Sequence, residues 1–173
     1  GQQAMSANFS GDRAAAVPQR RQGRIFPSAV SAEIVIDAPV PAVWQVLTDF
    51  PRYGEWNPFT PSVETDFQLG SPVVMRVRLV PGKKLLKQVE YMNVLEVGHR
   101  FAYGYDLGIA LLLSANRYQQ LDDLGGGQTR YYTTDQFSGV MVPLMNWLYA
   151  RHIQQGFEDM AEALKVRVEA LAR

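Results

Sequence analysis

The sequence predicts an α+β domain in which a curved antiparallel sheet of about seven strands wraps around one long C-terminal helix. Three observations predict it. From Met145 onward, apolar residues recur at Tyr149, Ile153, Phe157, Met160, Leu164, Val168 and Leu171. These steps of three and four keep them on one stripe of a helix. Between Ser62 and Ser138, short runs alternate apolar and polar residues and are separated by turn signals, which is the pattern of a strand meander. A single strand and two short helical segments precede that meander. A helix of about thirty residues is a rod on the order of 45 Å long. It must bury its stripe against something broad, and one large sheet is the only surface the chain order supplies.

With 173 residues, 47% of them hydrophobic and 20% charged, the chain has the balance of one globular domain. Formal net charge is zero, so no global field favours nucleic acid, and none is expected as a partner. The absence of cysteine excludes disulfides and thiolate chemistry. The longest apolar run, Ile109 to Leu113, is strand-sized, so no stable membrane insertion is expected. No apolar signal segment is visible, and the expectation is a cytoplasmic monomer or homodimer.

Residues 1–28 read as a flexible arm, with Arg13, Arg20, Arg21 and Arg24 against Asp12 alone. The twin arginines lack the hydrophobic segment an export signal needs. Residues 29–173 form the domain. Ser31 to Asp37 alternates as a strand. Pro41 then opens a short helix with Val43, Trp44, Val46 and Leu47 on its apolar side. The run Asp49 to Phe59 contains two prolines and a glycine, which allows one helical turn around Arg52 to Glu55 and an extended exit. The strands that follow are Val63 to Leu69, Val73 to Val80, Leu85 to Val97, Arg100 to Asp106, Leu111 to Leu121 and Thr129 to Phe137. In the second of these, Val73, Met75, Val77 and Leu79 face inward, which leaves Arg76 and Arg78 solvated. Pro143 sits in the first turn of the long helix, where its missing N–H costs little.

Several of these pieces together carry a family resemblance: the opening strand with APVPAVWQVLTDF, then YGEWNPF, the hairpin GGGQTRYYTTDQFSGV, and VPL at the start of the last helix. The chain resembles the START-like, Bet v 1-like helix-grip superfamily, and within it bacterial SRPBCC or polyketide cyclase/dehydrase-like proteins, over about residues 32–171. The resemblance implies the helix-grip fold, in which a wide sheet curled around a single helix leaves a cavity. It implies a small hydrophobic partner, aromatic or polyketide-like. It leaves open a cyclase or dehydratase working without metal, and a protein-interaction module of the chaperone-associated type.

Candidate site residues follow from strand parity and position. Trp56 and Asn57 either cover a cavity mouth or close a turn. If Val89 and Val97 face inward, so do Tyr91 and Asn93. Tyr103 and Tyr105 share the face of Phe101. Any of these polar groups, once buried, needs a partner that a ligand can supply. Across a hairpin centred near Gly125-Gly126, Arg117 meets Thr133 or Asp135. Facing inward, Arg117 and Asp135 form a buried ion pair, and with Tyr103 they are the candidate proton-transfer groups; facing outward, they are an exposed cross-strand pair. Met75, Leu113, Leu144, Leu148, Ile153 and Phe157 are the candidate apolar walls. His99 and His152 are the only histidines, no zinc-ligand spacing occurs, and no metal or other cofactor is expected.

Overall fold

The computed structural model describes residues 21–173. Seven antiparallel strands form one sheet: β1 (Ser28–Ile36), β2 (Ser62–Thr65), β3 (Pro72–Val77), β4 (Leu86–Glu96), β5 (Arg100–Asp106), β6 (Ser114–Gly125) and β7 (Gln128–Ser138). Their spatial order is β1-β7-β6-β5-β4-β3-β2, a meander closed by the first strand pairing with the last. Helix α1 (Val40–Leu47) and a 3-10 helix (Phe50–Glu55) link β1 to β2, and helix α2 (Val142–Leu171) follows β7. This is the helix-grip fold.

The apolar stripe does what its spacing predicts. Ile153, Phe157, Met160, Leu164 and Val168 are buried against the concave face of the sheet, and Leu171 alone projects into solvent at the helix end. On the exposed edge of β1, Gln154 Nε2 donates to Ser31 O (2.9 Å) and Lys165 Nζ to Val35 O (3.0 Å). The helix thus satisfies carbonyls that an open strand edge would leave free. Trp44 joins an aromatic cluster beneath α1, edge-on to Phe101 at 5.8 Å. Tyr53 is fully buried and donates its O–H to Leu47 O, tying the 3-10 helix to α1.

Three segments differ from the sequence reading. The strand predicted to reach Leu69 stops at Thr65, because Phe67 takes a positive φ of 54° and turns into the aromatic cluster. The strand predicted from Leu111 begins at Ser114; residues 107–113 are a turn closed by Leu107 N to Leu113 O (2.9 Å). Residues 1–20 of the predicted arm lie outside the described residues. Its continuation is fastened to the domain, with Gln22 Nε2 donating to Phe137 O (2.9 Å) and Gly139 N to Ile25 O (2.7 Å).

The fourth difference positions the site. On β4 the residues facing inward are Gln88, Glu90 and Met92, opposite Met75, Val73 and Tyr103, and not Val89 and Tyr91. A bulge at Asn93 then flips the parity, so that Leu95 pairs with Phe101 and returns to the inner side. The inward turn of Gln88 and Glu90 gives the concave face polar groups where a dry core would have none.

Candidate ligand-binding cavity

Between the sheet and the first half of α2 lies a cavity of about 230 Å³. Its apolar wall includes Met75, Val77, Leu79, Leu113, Phe137, Met141, Met145 and Ile153. Leu144 and Leu148, each about half exposed, stand at its mouth. At the closed end the lining turns polar, with Tyr103, Tyr105, Glu90, Arg117 and Asp135.

The hairpin register puts Arg117 directly opposite Asp135 and Tyr103 directly opposite Arg117, all on the inner face. Three adjacent strands therefore bring together the three groups the sequence singles out for proton transfer. Arg117 is 4% exposed, and each of its three guanidinium nitrogens has a partner. Nε donates to Thr133 Oγ1 (3.1 Å), Nη1 to Tyr103 OH (3.4 Å) and Nη2 to Met160 Sδ (3.3 Å), while the group lies 4.1 Å from the Phe157 ring centroid. That cation–π contact replaces part of the hydration the arginine loses. The expected contact ion pair with Asp135 is not what these bonds form: among the described residues, Asp135 Oδ1 is buried and has no hydrogen-bond partner.

Burial pushes the Asp135 carboxyl up to about 7, against the opposing pull of Arg117. Tyr103 and Tyr105 are each pushed up to about 12, first by burial; Glu90 and Asp135 add to both shifts, while Arg117 opposes burial at Tyr103. Both phenols thus keep their protons through the physiological range. Tyr103 OH accepts from Gln119 Nε2 (2.9 Å) as well as from Arg117, which leaves its own proton to donate. Tyr131 OH, behind it, donates to Gln119 Oε1 (2.8 Å) and fixes that amide.

A carboxyl whose folded value exceeds its unfolded one binds extra protons when folded, so stability falls as pH rises from about 4 to about 7 and is level above that. Asp135→Asn removes the penalty. Thermal melts should show the variant at least about 5 °C more stable at pH 8, with the gain vanishing near pH 4. An unchanged or lower melting temperature at pH 8 would contradict this electrostatic account.

Of the candidate residues, Met75, Tyr103, Tyr105, Leu113, Arg117, Asp135, Leu144, Leu148, Ile153 and Phe157 line this one cavity. Four do not. Tyr91 is 54% exposed on the convex face, turned there by the parity of β4. Asn93 occupies the bulge and donates to Asn116 Oδ1 (2.6 Å) on the same convex side. Trp56 packs edge-on against Tyr53 (5.0 Å). Asn57 is buried but closes a turn, its Oδ1 accepting from Phe59 N (3.1 Å) and Thr60 N (2.9 Å). The sequence reading missed Glu90 and Gln88. Their signal was present in the polar half of the β4 alternation, which hydrophobicity alone assigns to solvent. No group of three or more His, Cys, Asp or Glu that could hold a metal occurs among the described residues.

Residues 28–169 match the model of a family described as polyketide cyclase/dehydrase and lipid transport. The chain belongs to that family. Among solved structures, it is similar to the ZhuI aromatase/cyclase from Streptomyces sp. R1128, at 18% identity and a TM-score of 0.67, over 85% of this chain and 96% of that one. It is also similar to a norcoclaurine synthase mutant from Thalictrum flavum bound to a transition-state analogue (13% identity, 0.66, 88% and 100%). A START superfamily protein from Mycobacterium smegmatis is a third (15%, 0.63, 83% and 98%). At these identities the likeness establishes the fold. No curated protein matches the sequence. Family and cavity together support a ligand-binding or cyclase role. No helix among the described residues is long and apolar enough to cross a membrane.

Proposed function

We propose that this domain binds a small hydrophobic molecule, one or two fused rings in size, whose polar end carries a hydroxyl. The observation that carries the reading is the buried, unpartnered Asp135 Oδ1 at the closed end of an otherwise apolar cavity. A buried acceptor without a donor costs about 1–3 kcal/mol, and a ligand O–H at that position recovers it. The same ligand oxygen can accept from Tyr103. Each guanidinium nitrogen of Arg117 already donates once within the protein, which weakens the case for an anionic head group. A volume of about 230 Å³ lies below the range of drug-sized sites, which begins at about 300 Å³. Met75, Met141 and Met145 supply walls that adapt to ring shape.

A titration with three ligands on one skeleton tests this: 2-naphthol, naphthalene and 2-naphthoate, followed by calorimetry and melting temperature. The naphthol should bind at least about tenfold more tightly than either of the others, the worth of one hydrogen bond to a charged group. Met145→Trp, which fills the cavity from α2, should abolish binding of all three. Equal affinity for naphthalene, or no saturable binding at all, would overturn the reading.

A cyclase or dehydratase is the second reading, favoured by the Asp135 carboxyl lying near 7, where a general acid–base group works best. Asp135 would move the proton, the Tyr103 O–H would polarise a carbonyl or enol oxygen, and Arg117 would steady the developing charge. On this reading Asp135→Asn abolishes turnover of a polyketide-type substrate while the domain stays folded. Undiminished turnover would remove Asp135 from the mechanism.

A further inference from the structure

The antiparallel meander brings the β3–β4 connection (78–85), the β5–β6 connection (107–113) and the β7–α2 connection (139–141) to one end of the sheet. The cavity opens at this end, between Leu79, Leu113, Leu144 and Leu148. The end is apolar to an unusual degree. Ile109 is 64% exposed, Leu111 62%, Val140 55% and Trp147 81%, with Leu107, Leu86 and Phe26 also outward. A patch of this kind on a protein surface marks an interaction site.

These side chains are held out by an ordered frame. The 107–113 turn is closed by Leu112 N to Ile109 O (3.0 Å) and is stitched to the β7–α2 connection by Val140 N to Leu111 O and Met141 N to Leu112 O (both 3.0 Å). Gly139, with φ of 121°, lets the two backbones approach so closely that a Cβ would collide with the Leu112 carbonyl. The apolar tips therefore project because their backbone is satisfied elsewhere, and they cannot fold back onto the core.

Charge identifies the partner. Within residues 78–85, 107–113 and 139–151, the charged side chains are Arg78, Lys83, Lys84 and Arg151, all basic and all exposed. Arg24 adds a fifth from the strap beside Gly139, and Asp106 at the base of β5 is the acidic group at this end. A tryptophan flanked by aliphatic tips and ringed by lysine and arginine is the pattern of a surface that seats in the head-group layer of an anionic bilayer. Two copies of this chain meeting at the same patch would instead face basic rim against basic rim. The zero net charge of the whole chain does not oppose this, because the attraction is local within a Debye length.

We propose that the domain docks reversibly on anionic membrane surfaces through the apolar, basic-rimmed end where its cavity opens, so that a hydrophobic ligand passes between bilayer and cavity without crossing water. The docking surface stands whatever ligand the cavity takes. Flotation with vesicles of phosphatidylcholine containing 30% phosphatidylserine, and with phosphatidylcholine alone, tests it on the full chain. The wild type should float with the anionic vesicles, with a blue shift of tryptophan emission from Trp147. Ile109→Ser/Trp147→Ala, both exposed and so compatible with folding, should lower partitioning about tenfold or more, and Lys83→Glu/Lys84→Glu should do so on anionic vesicles only. A melting temperature equal to wild type confirms that each variant is folded. Absence of flotation with either vesicle, or flotation of the variants equal to wild type, overturns the proposal. So does a wild-type dimer that Trp147→Ala converts to monomer without any vesicle binding.

Discussion

Arg117→Ala should lower stability by about 3–5 kcal/mol, the combined cost of the void left by a large buried side chain and of the hydrogen bonds taken from Thr133 and Tyr103. The melting temperature would then fall by about 6–12 °C at the lower figure. The guanidinium is the nearest cation acting on Asp135, and it supports Thr133, Tyr103 and the face of Phe157 at once. Removing it opens a void beside Phe157, strands Tyr103 and drives the Asp135 carboxyl further up until it is protonated at neutral pH. Arg117→Met/Asp135→Asn should regain at least half of what Arg117→Ala loses, because the methionine refills the stem volume. Chemical denaturation of the three proteins checks this. An Arg117→Ala protein as stable as wild type would mean that the buried cation contributes nothing to the fold.

Gly156→Ala should destabilise the domain, contrary to what helix propensity alone suggests. In an exposed helix the change gains about 1 kcal/mol. Here the new Cβ would fall on the Phe59 ring, which lies over the glycine. That ring cannot retreat freely, since it sits edge-on to Phe157 (5.5 Å, 83°) and 5.9 Å from the Arg117 guanidinium. Overpacking of this kind costs about 1–3 kcal/mol. The remaining relief is for Phe59 to swing into the cavity it lines, so ligand affinity should fall in parallel. Phe59→Ala in the same chain removes the collision, and Gly156→Ala should then be neutral or stabilising. A Gly156→Ala protein that melts higher than wild type and binds ligand as well would show that Phe59 has room to move.

Much of this fold is written in local patterns. The α2 stripe, the alternation of β3 and β5 and the register of the β6–β7 hairpin all follow from periodicity, and the register places Arg117 against Asp135 within the stated range. The strand β4 shows where that logic inverts. Its apolar residues Val89 and Tyr91 face solvent, while Gln88 and Glu90 face inward, because the inner wall at that place borders a cavity and not a close-packed core. A bulge at Asn93 then restores Leu95 to the inside, and a count of two has no means of registering the extra residue. The failure of hydrophobic alternation therefore coincides with the site itself. Trp56 and Asn57 were less legible for another reason. Both lie in a segment of prolines and turns, where the choice between covering a cavity and closing a turn depends on tertiary contacts such as Trp56 on Tyr53. The apolar run Ile109 to Leu113 is strand-sized, and the sequence reading starts a strand within it at Leu111. Only the backbone closure of the 107–113 turn reveals Ile109 and Leu111 as exposed tips.

The central claim is that the cavity between sheet and α2 holds a hydroxyl-bearing hydrophobic molecule by its closed, polar end. An electron-density map of the protein crystallised with 2-naphthol measures this directly. The account predicts one ring system between Met75, Ile153 and Phe157, with its oxygen about 2.5–3.0 Å from Asp135 Oδ1 and within reach of the Tyr103 hydroxyl. A map in which the cavity stays empty at saturating ligand, or in which the hydroxyl points to the mouth between Leu144 and Leu148, would contradict it.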